Sequence, residues 1–389
     1  MSLSAKREAL ARIHGRYQRA GRPHKKIILD EFCATCGYHR KAAVRLLNRP
    51  LRTTPFKRSG PKIIYEPGEV LPVLKAVWLA SDQLCSKLLK AALPEWLEHH
   101  ERRGAWLPEA FKKKLLEISP AQIDRLLRPS RVQYPKKGLS STRPGTLLRH
   151  AVRTRSGPPD TTRLGSVEAD TVAHCDDSTE GDYVNSLTFT ELFSGWTENR
   201  AIWNKSADAV LVQLKELERT VPYPMKDFHT DNGGEFLNWA LHRHLTGRAV
   251  KMPWTRSRAY RKNDNAHCEQ KNWTHVRQLF GHDRFEHPEL VGLMNDLYAL
   301  EWSQFTNHFK PTFKLVKREK KDGKTKRFYE AIPQTPYQRL LDSPEVPETT
   351  KAKLRAEHAK LDPFDLKKNI ELKLKKFFTA LGNLNREAT

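Results

Sequence analysis

Cysteine is scarce in this chain. Its five thiols, Cys33, Cys36, Cys85, Cys175 and Cys268, are odd in number and irregular in spacing, which argues against a disulfide-stapled scaffold and for a reducing compartment. Long apolar runs are missing too: no stretch of about 18 or more apolar residues occurs, nor the pattern of a secretory leader, so no membrane span is expected. Acidic residues are outnumbered, 45 Asp and Glu against 69 Lys and Arg, which leaves a net charge of +24. Such a charge calls for an anionic partner, a nucleic acid or a membrane surface. Apolar content is not lacking. With 38% hydrophobic residues in 389, the chain can build real cores in about two to four domains, which excludes a disordered protein.

The positive charge is unevenly placed. Residues 1–60 hold 15 Lys and Arg against 3 Asp and Glu, residues 130–165 hold 8 against 1, and residues 310–389 hold 20 against 11. Residues 166–309 reverse the balance, with 15 against 21. An acidic block able to collect metal ions thus lies between basic flanks able to hold a polyanion.

Residues 1–58 read as a DNA-binding helix-turn-helix domain. KKIILDEFCATC and YHRKAAVRLLN flank Gly37, and the apolar positions Ile28, Leu29, Phe32, Ala42, Val44, Leu46 and Leu47 leave Tyr38, His39, Arg40, Lys41 and Arg45 for the exposed side of a reading helix. A helical hairpin with a solvated basic face is the alternative. Cys33 and Cys36 with His14 and His24 match no zinc-ligand spacing, and Cys in an apolar helical run behaves as a small hydrophobe. Residues 61–129 are helical again, with Ser119 as an N-cap and Pro120 in the first helical position of a second helix-turn-helix; a domain that only spaces its neighbours is the other reading. Residues 130–162, rich in Pro, Gly, Ser and Arg, read as a basic linker.

Residues 163–308 alternate between the two periodicities. Strands are expected over 166–174, 182–192, 197–203, 225–230 and 249–253, and helices over 207–220, 235–245 and 263–280, a mixed α/β pattern. Within it Asp231 ends a short strand-like run before Asn232-Gly233-Gly234, a sharp reversal that leaves its carboxylate at the lip of a sheet. Asp170 shares one strand face with Glu168 while Val167 and Ala169 take the other; Glu168, Asp176 and Asp177 are alternatives to it. Glu269 lies in a helical stretch, on one face with Asn265 and Trp273. Three acids from two strand positions and one helix would hold hard divalent cations through oxygen, the equipment of two-metal phosphoryl transfer. Arg256, Arg258, Arg261 and Lys262 form a basic loop placed to receive phosphates. His174, His229 and His267 read as structural or DNA-facing, and Cys268 as a buried helix residue.

The order Asp170, Asp231, Glu269, with separations of 61 and 38 residues and HTDNGGEF around the second acid, resembles the retroviral-integrase-type core of insertion-sequence DDE transposases over roughly residues 160–310. The resemblance implies a multidomain α+β protein: N-terminal helix-turn-helix domains, a central RNase H-like α/β catalytic domain over 163–308, a small basic C-terminal β unit over 309–345, where KLVKREKK, Asp322-Gly323 and KTKRFYE signal a hairpin, and a helical tail over 346–389. It further implies that Asp170, Asp231 and Glu269 hold two Mg²⁺ ions, or Mn²⁺, that the partner is double-stranded DNA as element ends and target, and that the protein acts as at least a dimer in the cytoplasm of a prokaryote, associated with the nucleoid. Many relatives carry Lys or Arg seven residues after the Glu. This chain has Val276 there with Arg277 next, so Lys271, His275 and Arg277 are the candidates to contact the DNA end. A metal-dependent nuclease without strand transfer and a transposase-derived repressor are the competing functions.

Overall fold

The computed structural model describes residues 1–51, 64–134, 153–154, 159–258, 266–321 and 324–387. Two compact units divide the chain, Met1–Ile64 and Tyr65–Thr389. The first is three helices, α1 (Leu3–Arg19), α2 (Arg22–Cys36) and α3 (Arg40–Asn48). Ser2 caps α1 by accepting from the Ala5 amide. Gly37 ends α2 with φ 68°, its N–H returning to the Cys33 carbonyl, a left-handed turn that most side chains would resist. Tyr17, Ile28, Leu29, Phe32, Cys36, Ala43 and Leu47 form the core, with Cys36 as one more apolar side chain. Helix α1 is not foreseen from the sequence because only Tyr17 of its seventeen residues is buried, so its apolar stripe is too thin to show as a period.

In the second unit, α4 (Pro67–Ala80), α5 (Ser86–Arg102), α6 (Glu109–Glu117) and α7 (Pro120–Gln133) come first. The Ser119 hydroxyl accepts from the Gln122 amide and Pro120 opens α7, as the sequence signals. Two boundaries differ from expectation. Helix α7 runs on to Gln133 through Pro129, into residues read as linker. The helices over 67–133 also have no separate core: Leu74, Trp78, Leu93, Trp96, Ile123 and Leu127 are continuous with Phe280, Met294, Tyr298, Trp302, Phe305, Ile370 and Phe377 from the far end of the chain. Trp96 stands edge-on to Phe305 and donates its indole N–H to the Phe309 carbonyl at 3.2 Å.

The centre of this unit is a mixed six-stranded sheet ordered β1-β6-β5-β2-β3-β4: β1 (Arg153–Thr154), β2 (Ser166–Ala173), β3 (Val184–Glu191), β4 (Thr197–Trp203), β5 (Asp227–Thr230) and β6 (Trp254–Arg256). Strands β2, β3 and β4 are antiparallel, while β5, β6 and β1 extend the sheet in parallel. One face, with Val167, Ala169, Leu187, Phe189 and Ile202, packs on α8 (Ala207–Thr220) and α9 (Trp239–Thr246) through Val210, Leu214, Leu241 and Leu245. The strand expected over 249–253 forms later, at Trp254–Arg256, after Pro253, which lacks the N–H that ladder pairing needs. Helix α9 starts at Trp239 rather than at 235, because the Asn238 side chain caps it by accepting from the Leu241 amide. Strand β1, two residues paired in parallel with β6, lies inside the expected linker.

The other sheet face is covered by α10 (Ala266–Lys271), which continues as π-helical turns over Asn272–Arg277 and as α11 (Gln278–Phe280), then by α12 (Glu289–Leu297), π-helical turns over Tyr298–Trp302, and α13 (Ser303–Phe309). Strands β7 (Leu315–Lys321) and β8 (Lys324–Tyr329) make a two-stranded antiparallel ribbon; the Asp322-Gly323 turn lies outside the described residues. Thr335 and Gln338 form a capping box on α14 (Pro336–Asp342), followed by α15 (Glu348–His358) and α16 (Pro363–Glu387). The tail docks on its own chain: Phe377 sits 4.9 Å from the Phe280 ring and 5.0 Å from Phe285.

Candidate active site

Strand register brings the two aspartates together. Ala169 pairs with Thr230 in the last rung of the parallel β2–β5 ladder, so Asp170, the next residue of β2, and Asp231, the first residue past the end of β5, follow paired residues of strands about 4.8 Å apart. Asp170 is held by two donors, the Thr171 amide to Oδ1 at 2.9 Å and Asn272 Nδ2 to Oδ2 at 2.7 Å. Asp231 Oδ1 accepts from the Gly233 amide at 2.9 Å.

Glu269 arrives from the covering helix. Cys268, fully buried, donates its thiol to the Glu168 carbonyl at 3.1 Å and so seats α10 on β2. The next residue, Glu269, is exposed, yet near enough for its charge to act on Asp170. Burial pushes the Asp170 carboxyl well above the usual range, Asp231 and Glu269 add repulsion, and the Thr171 and Asn272 donors oppose them. Burial likewise raises Asp231, to about 6, with Glu235 adding repulsion while the Gly233 amide and Lys205 pull the other way. Among the alternatives to Asp170, Asp176 and Asp177 are exposed in the loop after β2.

Two further contributors are not among the residues singled out from the sequence. Glu235 is buried, accepts the Thr171 hydroxyl at 2.6 Å and pairs with Lys205 Nζ at 3.7 Å. It stands inside HTDNGGEF, but a carboxylate four residues past Asp231 carries no period that separates it from a turn residue. Asn272, three residues after Glu269, lies one helical turn on and was detectable by that spacing. It opens the π-helical turns, a distortion frequent at functional sites.

The expected nucleic-acid contacts scatter. His39, Lys41 and Arg45 are exposed on the first unit. Arg40 pairs with Asp30, and Tyr38 is half-buried, 5.5 Å from the Phe32 ring with the Lys6 ammonium over it, so Tyr38 belongs partly to the core. Arg256 donates to Asn232 Oδ1 at 2.9 Å beside Asp231; Arg258 is exposed; Arg261 and Lys262 lie outside the described residues. Lys271 Nζ is 3.5 Å from His275 Nε2, and burial, then Arg339 and Lys310, bring its ammonium down to about 8; none of the three acids is among the groups that shift it. Arg277 donates to the Ala173 and Gly281 carbonyls, a clasp on backbone. His174, neutral because burial lowers it to about 3, bonds to Ser186, and His229 bonds to Thr255 and Ser257.

Carboxylate oxygens are the donors that hard divalent ions take, and repulsion among crowded carboxylates is what a cation relieves. The donor chemistry therefore fits Mg²⁺ or Mn²⁺. The side chains are not drawn around a common point: among the described residues no group of three or more His, Cys, Asp and Glu could hold a metal ion as placed.

No family model matches the chain. The uncharacterized protein y4rM of Sinorhizobium fredii (strain NBRC 101917 / NGR234) is 35% identical over 341 residues, 86% of this chain and 95% of its own length. The chain belongs to the same family as that protein. Among solved structures, a chain of the simian T-cell lymphotropic virus intasome in complex with PP2A regulatory subunit B56 gamma is 11% identical, with a TM-score of 0.33, over 64% of this chain and 76% of that one; a likeness of that degree carries no argument. No helix among the described residues is long and apolar enough to cross a membrane.

Proposed function

We propose that the protein is a DNA transposase with an RNase H-like catalytic core, which binds the ends of its own element, cleaves there and joins the freed 3′-hydroxyl to target DNA. The observation that carries this reading is the pairing of Ala169 with Thr230, which Asp170 and Asp231 directly follow, with both Asp231 and Glu269 close enough to repel Asp170. Asp170 and Asp231 together, with Glu269 on the covering side, would hold two Mg²⁺ ions. Bound there, such ions would activate the attacking group, water for cleavage and the 3′-hydroxyl for joining, and stabilise the leaving oxygen. The protein's own part is orientation. Asn272 and the Thr171 amide fix the Asp170 carboxylate, and the Gly233 amide fixes Asp231. Arg256 and Arg258 lie where a phosphate backbone would approach.

Recognition falls to other parts. The helix-turn-helix formed by α2 and α3 presents His39, Lys41 and Arg45 for base and phosphate contacts, and the Lys- and Arg-rich ribbon adds salt-dependent affinity. Two ends must be joined, so the working form is at least a dimer, in the cytoplasm and on the nucleoid.

A strand-transfer assay on labelled duplexes carrying the sequences that flank the coding region, with Mg²⁺ or Mn²⁺, tests the proposal. Wild type is expected to give cut and joined products. Asp231→Asn keeps the acceptor for the Gly233 amide and removes the charge, so it should bind the same duplexes and yield neither product. DNA cut but never joined would move the reading to a nuclease; binding without either product in wild type would move it to a transposase-derived repressor.

A further inference from the structure

Behind the two strand aspartates lies a buried carboxylate that the chemistry described above does not use. Glu235 is 6% exposed, and a charge so enclosed is retained only where specific partners hold it. Two such partners meet at one oxygen: the Thr171 hydroxyl donates to Oε1 at 2.6 Å, and Lys205 Nζ stands 3.7 Å from the same atom. Thr171 is also the residue whose amide holds Asp170 Oδ1 at 2.9 Å. The other half of the carboxylate fills the space over Gly233. A Cβ built there would lie 2.4 Å from Glu235 Oε2 and 2.6 Å from its Cδ, so any side chain at 233 would have to displace the carboxylate. Gly233 in turn donates its amide to Asp231 Oδ1 at 2.9 Å. Each aspartate is therefore held by a backbone N–H, and the residues supplying those two N–H groups both touch Glu235.

We infer that Glu235 is a positioning residue: through the Thr171 hydroxyl and its seat over Gly233, it locks the turn carrying Asp231 to the strand carrying Asp170 and so sets the spacing of the two carboxylates. This rests on the reading of those aspartates as the catalytic pair. Carboxylates that must close on the same ions need a defined separation, and groups behind metal ligands commonly govern affinity by holding it. The hydrogen bond, rather than the negative charge, performs the role, because Oε1 accepts from the strand.

Calorimetric titration of the full-length protein with Mn²⁺ is the test, alongside the strand-transfer assay. Glu235→Ala and Thr171→Val are each expected to weaken Mn²⁺ binding about tenfold and to lower kcat with KM for DNA unchanged. The double variant should be no worse than either alone, and Glu235→Gln, whose amide oxygen still accepts from Thr171, should stay within about threefold of wild type. A metal-free readout accompanies it: Gly233→Ala should lower the thermal midpoint, and adding Glu235→Ala should restore most of that loss. Unchanged Mn²⁺ affinity in Glu235→Ala overturns the inference while leaving the catalytic reading standing. Equal weakening in Glu235→Gln and Glu235→Ala overturns the hydrogen-bond role, and a Gly233→Ala effect indifferent to residue 235 overturns the packing. Wild type that takes up no Mn²⁺ at all overturns the inference together with the catalytic reading.

Discussion

At the scale of single residues, the two central strands of the sheet gather unfavourable charge. Burial raises the Asp231 carboxyl from 3.8 to about 6, with repulsion from Glu235 adding to it. A carboxyl whose folded pKa exceeds its unfolded one holds its proton more tightly in the folded chain, so stability falls as pH rises from about 4 through about 6 and stays reduced above that. The displacement corresponds to at most about 3 kcal/mol. In metal-free buffer, Asp231→Asn should therefore be more stable than wild type at pH 8 by about 1–3 kcal/mol, with the gap closing as pH falls toward 4. Urea denaturation at pH 4.5 and pH 8 measures this. A pH-independent difference would show that Asp231 is not electrostatically strained.

At the scale of elements, α16 is a structural member of the second unit rather than an appendage. Phe377 is 1% exposed and closes a ring cluster with Phe280, at the end of the helical run that begins with Glu269's helix, and Phe285 from the loop that follows. Phe377→Ala should cost about 3–5 kcal/mol, read from the urea midpoint with little change in the slope. A cost under about 1 kcal/mol would mean that the site collapses around the smaller side chain without strain. The ribbon of β7 and β8 is the opposite kind of element. Both of its faces are largely open, and Arg318 lies directly across from Arg327, a like-charge pair that destabilises an isolated hairpin.

At the scale of the whole molecule, the proposed DNA binding would draw on the exposed Lys and Arg of that ribbon. Binding of duplex DNA should weaken with salt, and Arg318→Glu with Arg327→Glu should reduce the slope of log K against log salt by about 0.9 for each phosphate that is no longer neutralised. Fluorescence anisotropy across a salt series measures it. An unchanged slope would place the polyanion on other surfaces, His39, Lys41 and Arg45 among them. The acidic centre and basic flanks visible in composition thus have different structural fates: the acids are gathered by strand register, whereas the cations divide between exposed positions and interior clasps such as Arg277 on the Ala173 carbonyl.

Local chemistry in the sequence determined the elements whose signals are local: the helix α8 over 207–220, capped by Ser206, the start of α7 at Ser119-Pro120, and the strands β2 to β4. Capping, alternation and turn residues act within a few positions, so they can be read along the chain. Tertiary structure alone decided that the helices over 67–133 and the tail share one core, because that depends on which apolar faces meet across about 200–300 residues of separation. It also decided that Tyr38, Arg40 and Arg277 spend their side chains on partners within the protein, and that Glu235 stands behind the aspartates. Those placements follow from strand register and helix docking, long-range pairings in which a shift of one residue would turn every side chain to the other face.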